Sequence, residues 1–157
     1  MALYLVKTMK TLADSRDDVN LRLCIIGLAP SHFVFRDESK EIKSIDFNVG
    51  KGNRQEFKPS GKGKKDARFL MPNSGLCKLV FSNESFKTVR CCVRGSLLEV
   101  NSRLSDDPSL LMTKADSEGY IGIIMPTRHD GNQIAKKLLT KEQYMEKRGD
   151  LARLCQG

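Results

Sequence analysis

Cys92-Val-Arg-Gly-Ser-Leu-Leu-Glu-Val-Asn101 holds the end of one strand and the whole of another, with a glycine between them. The first is expected over Ser85 to Val93 and the second over Ser96 to Val100, because both are rich in β-branched and large apolar residues and are bounded by turn formers. Working outward, further strands are expected over Leu76 to Phe81, Ala67 to Leu70 and Tyr120 to Met125. Near the start, Ile45, Phe47 and Val49 alternate with Ser44, Asp46 and Asn48, and Gly50-Lys-Gly-Asn53 closes that run as a turn. Val19, Leu21, Leu23 and Ile25 alternate with Asn20 and Arg22, which predicts another strand with those four residues on one side. A turn at Ala29-Pro-Ser31 leads to Phe33-Val-Phe35 and then to a polar turn at Arg36 to Lys40. The expectation is a mainly β, hairpin-rich chain of about eight or nine strands.

Helix signals gather at the C-terminal end. Asp107 before Pro108 predicts one short helical turn over Pro108 to Met112. Thr140-Lys-Glu-Gln143 is a capping box and predicts a terminal helix from Lys141 to Arg148, with Gly149 as its stop. Laying the segment from Ser60 over that from Arg94, a shift of 34, matches Gly61 with Gly95, Leu70 with Leu104 and Leu76 with Leu110. Such a match suits two related hairpin units. With 157 residues, one domain is expected over 19–148, preceded by a divergent segment at 1–18 and followed by a tail at 149–157.

Lys and Arg total 27 against 19 Asp and Glu, a formal charge of +8. An acidic partner is implied, and charge alone does not rank nucleic acid, anionic membrane or an acidic protein. The charge is densest between Lys51 and Arg68, where seven cations face Glu56 and Asp66, a net of +5. Pro59-Ser-Gly-Lys-Gly-Lys-Lys65 reads as an exposed hairpin tip, so Lys58, Lys62, Lys64, Lys65 and Arg68 are the expected docking cations. The same stretch also suits a solvated turn with no partner. It lacks the spacing and the following helix of a phosphate loop. Only Phe57 and Phe69 accompany its cations and the chain has no Trp, so nucleic-acid binding is expected to be weak and nonspecific.

Five cysteines, at 24, 77, 91, 92 and 155, show no metal-ligand spacing, and no metal site is expected. Cys91 and Cys92 are expected on opposite faces of one strand. Free, mostly buried thiols suit a reducing compartment, cytoplasm or nucleus. The longest apolar stretch, Leu23 to Pro30, is far short of the roughly 20 residues of a membrane helix, and no leader is read at the start. Neither His32, beside a proline turn, nor His129, in the expected loop Thr127-Arg-His-Asp-Gly131, neighbours a nucleophile motif, so no enzyme activity is expected.

The stretch Cys92–Asn101, followed by Asp107-Pro-Ser-Leu-Leu111 and Glu118-Gly-Tyr-Ile-Gly-Ile-Ile-Met-Pro126, resembles the signature of the actin-binding transcription modulator family. The likeness extends to Leu28-Ala-Pro-Ser-His32, Ser60-Gly-Lys62, Ala67-Arg-Phe-Leu70 and Leu138-Leu-Thr-Lys-Glu-Gln-Tyr144, and so covers roughly residues 21 to 148. That family is similar in turn to the H protein of the glycine cleavage system. The resemblance therefore implies a barrel-sandwich hybrid fold, as in lipoyl and biotinyl carriers, with a short C-terminal helix. It also implies binding of monomeric and filamentous actin, an influence on filament assembly and on transcription, and no cofactor. The location it implies is cytoplasmic and nuclear, with nuclear speckles and actin-rich projections. Glu84-Ser-Phe-Lys87 resembles the carrier's lipoyl-lysine motif, which offers Lys87 as an alternative attachment site. Eight positions separate Lys87 from Gly95, shorter than the carrier pattern, and an ordinary solvent-facing strand lysine is the favoured expectation.

Overall fold

A computed structural model describes residues 3–10, 22–29, 31–37, 41–56, 68–115, 117–137, 139–140 and 142–147. Its ten strands are β1 (Leu3–Lys10), β2 (Arg22–Leu28), β3 (Ile42–Asp46), β4 (Asn48–Val49), β5 (Gly52–Asn53), β6 (Phe69–Leu70), β7 (Gly75–Phe81), β8 (Phe86–Arg90), β9 (Gly95–Val100) and β10 (Gly122–Pro126). They form a five-stranded sheet in the order β1-β2-β10-β9-β6, a three-stranded sheet β3-β7-β8 and the small hairpin β4-β5. All pairings are antiparallel. Among the described residues no sheet closes on itself.

The two larger sheets share one core. Cys24, Ile26 and Leu28 of β2, Leu97 of β9 and Ile124 of β10 pack with Ile45 of β3, Leu76, Leu79 and Phe81 of β7, and Val89 of β8. Fully buried Leu and Ile side chains each contribute about 1.5–3 kcal/mol by leaving water. Ile45, Phe47 and Val49 are all buried, as their alternation predicts, and the turn at Gly50 to Asn53 joins β4 to β5. Gly50 supplies the positive φ of 66° which that tight turn requires. In β7 both Leu76 and Cys77 are buried, because the register with β8 slips between Gly75 and Cys77 and turns two successive side chains inward.

Several expectations are corrected. The inward face of β2 is Cys24, Ile26 and Leu28, whereas Leu23 and Ile25 are only half-buried. Both faces of the strand are apolar, so alternation from Val19 fixed the wrong side; Val19 and Leu21 lie outside the described residues. β1 lies in the divergent N-terminal segment, for which no strand is predicted, and pairs with β2 from Leu3 opposite Leu28 to Lys10 opposite Arg22. The strand expected to reach Val93 stops at Arg90. There the chain turns back on residues 72–74: Cys91 N donates to Ser74 O and Cys92 N to Pro72 O, both at 2.8 Å, and Cys92 takes a left-handed φ of 60°. Cys91 is buried and Cys92 exposed because of this turn rather than strand alternation. The 34-residue echo is not structural: Leu70 is in β6 but Leu104 in a helix, and Leu76 is in β7 but Leu110 in another helix.

Helix extends beyond the two expected segments. α1 (Arg103–Asp106) and α2 (Leu110–Thr113) are single turns that bury Leu104, Leu110 and Leu111. Asp107 does not cap the helix directly; its Oδ1 accepts from Ser109 N at 3.1 Å, and α2 starts after Ser109. α3 (Arg128–Lys137) occupies the expected polar loop and places His129 in a helix. Asp130 N donates to Thr127 Oγ1, so Thr127-x-x-Asp130 is a cap signal, and Gly131 does not interrupt the helix. The Thr140 capping box forms as predicted, with Gln143 N donating to Thr140 Oγ1 at 3.2 Å and Thr140 N to Gln143 Oε1 at 3.0 Å. Helix α4 (142–147) follows, and its Tyr144 hydroxyl shares a short hydrogen bond with Ser31.

Candidate functional site

Lys58, Lys62, Lys64 and Lys65 lie outside the described residues, and so does Phe57. The basic run nevertheless enters and leaves that stretch through residues whose places are defined. Lys51 is exposed at the β4–β5 turn. Arg54 is not a surface cation: it is 6% exposed, and its Nε and Nη2 donate to Gly75 O at 3.2 and 3.0 Å. Burial, then the charge of nearby Arg68, pulls its guanidinium below the usual arginine range. Arg68 is half-buried, with its guanidinium 3.4 Å from where a Cβ on Gly52 would stand. These two arginines tie the basic run to the β4–β5 hairpin.

β6 is the last strand of the five-stranded sheet. Strand alternation sends Leu70 into the core at 2% exposure and leaves Phe69 and Met71 outward at 46% and 52%. Pairing with β9 sets Phe69 opposite Ser96 and Leu70 opposite Gly95, which brings Arg94 over the Phe69 ring at 5.5 Å. An arginine in that position is attracted to the ring face and keeps its outer edge for an anion. Gly95 is required here because a Cβ would stand 2.4 Å from Met125 O. Arg90 Nη1 donates to Asn73 O at 2.7 Å, fixing a second exposed guanidinium beside the Met71–Ser74 turn. Asp130, 4.0 Å from Arg94, offsets part of this charge. Its carboxyl is held below the usual range by the Thr127 hydroxyl, then by Arg94.

The surface is thus an apolar pair, Phe69 and Met71, framed by arginines and continuous in sequence with the lysine-rich segment. Sequence reading singled out Phe69 and Arg68 but missed Met71, Arg90 and Arg94. The signal that could have found them was the pairing of the two segments around Leu70 and Gly95, which places residues 25 positions apart side by side.

Lys87 is exposed on β8, opposite Leu79, two residues beyond the β7–β8 turn. Its neighbour Phe86 is 61% exposed, with Lys78 Nζ 5.7 Å over the ring. Of the histidines, His32 is buried and accepts from Val34 N through Nδ1, while His129 is exposed. Cys24, Cys77 and Cys91 are buried thiols pushed upward by burial, Cys24 and Cys91 to about 11. Among the described residues no group of three metal-ligating side chains occurs, and no helix is long and apolar enough to cross a membrane.

No family model matches the chain. It is 40% identical over 126 residues to Protein Abitram of Danio rerio, covering 80% of this chain and 71% of the relative. Against Protein Abitram of Homo sapiens it is 41% identical over 126 residues, covering 80% and 69%. The Dictyostelium discoideum protein of the same name is 35% identical over 122 residues, covering 78% and 66%. Among solved structures, the glycine cleavage system H protein of Mycobacterium marinum superposes with a TM-score of 0.51 at 17% identity, covering 88% of this chain and 86% of that one. The last comparison bears out the lipoyl-carrier-like, mainly β fold, with short helices and open sheets.

Proposed function

The chain belongs to the family of Protein Abitram, and from that premise we propose that it is an actin-binding regulatory module. In this reading it engages monomeric and filamentous actin, modulates filament assembly and transcription, and is present in both cytoplasm and nucleus, without catalysis. The observation that supports it most is Arg94 lying over the exposed Phe69 at the sheet edge, beside Met71 and Arg90. An arginine-framed aromatic suits a partner that combines acidic side chains with an apolar anchor, and actin is strongly acidic. Lys58, Lys62, Lys64, Lys65 and Arg68 add long-range attraction from the adjoining segment. Binding of fluorescently labelled monomeric actin tests this. The double variant Phe69→Ser, Arg94→Glu should bind at least tenfold more weakly while keeping its unfolding midpoint, and unchanged binding would refute the site.

A second reading, a swinging-arm carrier modified on Lys87, is favoured by the H-protein-like fold and by the exposure of Lys87 beside a hairpin turn. Against it, Lys87 stands within a strand and not at the turn itself. Intact-mass measurement of protein made in a lipoylating cell distinguishes the two, since a carrier would show a stoichiometric lipoyl adduct on Lys87.

A further inference from the structure

A second surface has the opposite chemistry. The 3-10 turn Phe33–Phe35, strand β3 and the start of α2 enclose an open groove of about 600 Å3. Its floor is apolar: Val34, Ile42 and Met112 line it, and Met112 is 37% exposed although Leu110 and Leu111 of the same helix are buried. Among the described residues its lining carries Asp37, Glu41 and Asp107 with one cation, Lys43, a net of −2 (one minus three). The chain as a whole is +8, so this is a local inversion of charge. None of the groove residues belongs to the Phe69–Arg94 surface.

An apolar floor with an acidic rim excludes acidic partners and nucleic acid by repulsion, and rewards a ligand that presents an apolar face flanked by ammonium or guanidinium groups. The volume suits a few side chains. We propose that this groove docks a lysine- or arginine-rich amphipathic segment of a partner protein, so that the molecule holds an acidic partner on one surface and a basic one on another. Glu41 and Asp107 steer the cations, while Ile42 and Met112 receive the apolar side chains. Asp107 Oδ1 is committed to Ser109 N and Oγ, which holds the carboxylate in place at the mouth.

The test uses a fluorescein-labelled amphipathic lysine–leucine peptide, with its glutamate–leucine counterpart as control. On full-length protein labelled at its methionine methyls, the lysine–leucine peptide should shift the Met112 resonance and leave Met71 and Met125 in place. Glu41→Lys with Asp107→Asn should weaken binding at least tenfold; asparagine keeps an acceptor for Ser109, so the local turn survives. The methyl experiment needs no variant and stands even if the double variant folds poorly. Equal binding of the two peptides, a silent Met112, or unchanged affinity in a folded double variant would each overturn the proposal.

Discussion

The Asn101 side-chain amide donates to the Tyr120 carbonyl at 2.9 Å and, through the same nitrogen, to Glu118 at 2.7 Å. Asn101 is 4% exposed, so these hydrogen bonds satisfy an amide with little access to water. Asn101 N also donates to Ile121 O at 2.9 Å, and Ile121 N to Ile26 O at 2.7 Å. One residue therefore joins the end of β9 to the entry of β10 and, through it, to β2. The pairing of Glu-Val-Asn101 with Glu118-Gly-Tyr120 in the sequence is a physical clamp.

Asn101→Ala should destabilise the fold by about 1–3 kcal/mol, because two partly buried carbonyls lose their donor. Asn101→Asp should be worse at neutral pH, since it turns a carboxylate toward those carbonyls. Midpoints of urea unfolding, with unchanged slope, measure both.

Two glycines should respond with opposite sign. At Gly95 a Cβ meets Met125 O at 2.4 Å and Pro126 Cα at 2.8 Å, backbone that cannot yield cheaply, so Gly95→Ala should cost about 1–3 kcal/mol or more. At Gly131 in α3 the nearest atom is Pro126 Cγ at 3.6 Å, ordinary contact, so Gly131→Ala should stabilise by about 0.5–1 kcal/mol through helix propensity. Thermal midpoints of the two variants should move apart from the wild type in opposite directions.

Stability should fall in mild acid because of His32. Burial, then Arg36 and Lys87, lowers its imidazole from 6.5 to about 4, and the side chain is only 8% exposed. Between those values the unfolded chain binds more protons than the folded one, so the stabilisation present above pH 6.5 is lost as the pH falls toward 4. The loss from this residue is about 3 kcal/mol. Unfolding free energies measured across that range should show the decline, and His32→Asn, which retains an acceptor for Val34 N, should flatten it.

How much of this was legible depended on how local each signal was. Alternation through Ile45, Phe47 and Val49 and the reciprocal cap of Thr140 and Gln143 are decided by neighbours in the chain, and both appear where expected. β2 was misread for its inward face because Leu23 and Ile25 are as apolar as Cys24 and Ile26, and only pairing with β1 and β10 selects between them. α3 was missed because Gly131 and a run of polar residues outweighed the cap at Thr127, although Ile134 packs against the core. The site divides in the same way. The lysine segment is visible as composition, whereas Arg94 meets Phe69 only once β6 and β9 pair.

Co-sedimentation with actin filaments at physiological salt is the most direct test, comparing wild type with Lys62→Glu, Lys64→Glu, Lys65→Glu. The sequence reads Lys62, Lys64 and Lys65 as part of a polar turn, and since surface changes shift stability by only about 0.5 kcal/mol each, the triple variant is expected to unfold at nearly the wild-type temperature. Wild-type protein should pellet with filaments and be released as ionic strength rises, because exposed charges are screened beyond a Debye length of about 8 Å at physiological salt. The triple variant should remain largely in the supernatant, with a flatter salt response. A folded triple variant that pellets like the wild type would contradict the basic surface as the docking site, and a wild type that never pellets would contradict filament binding itself.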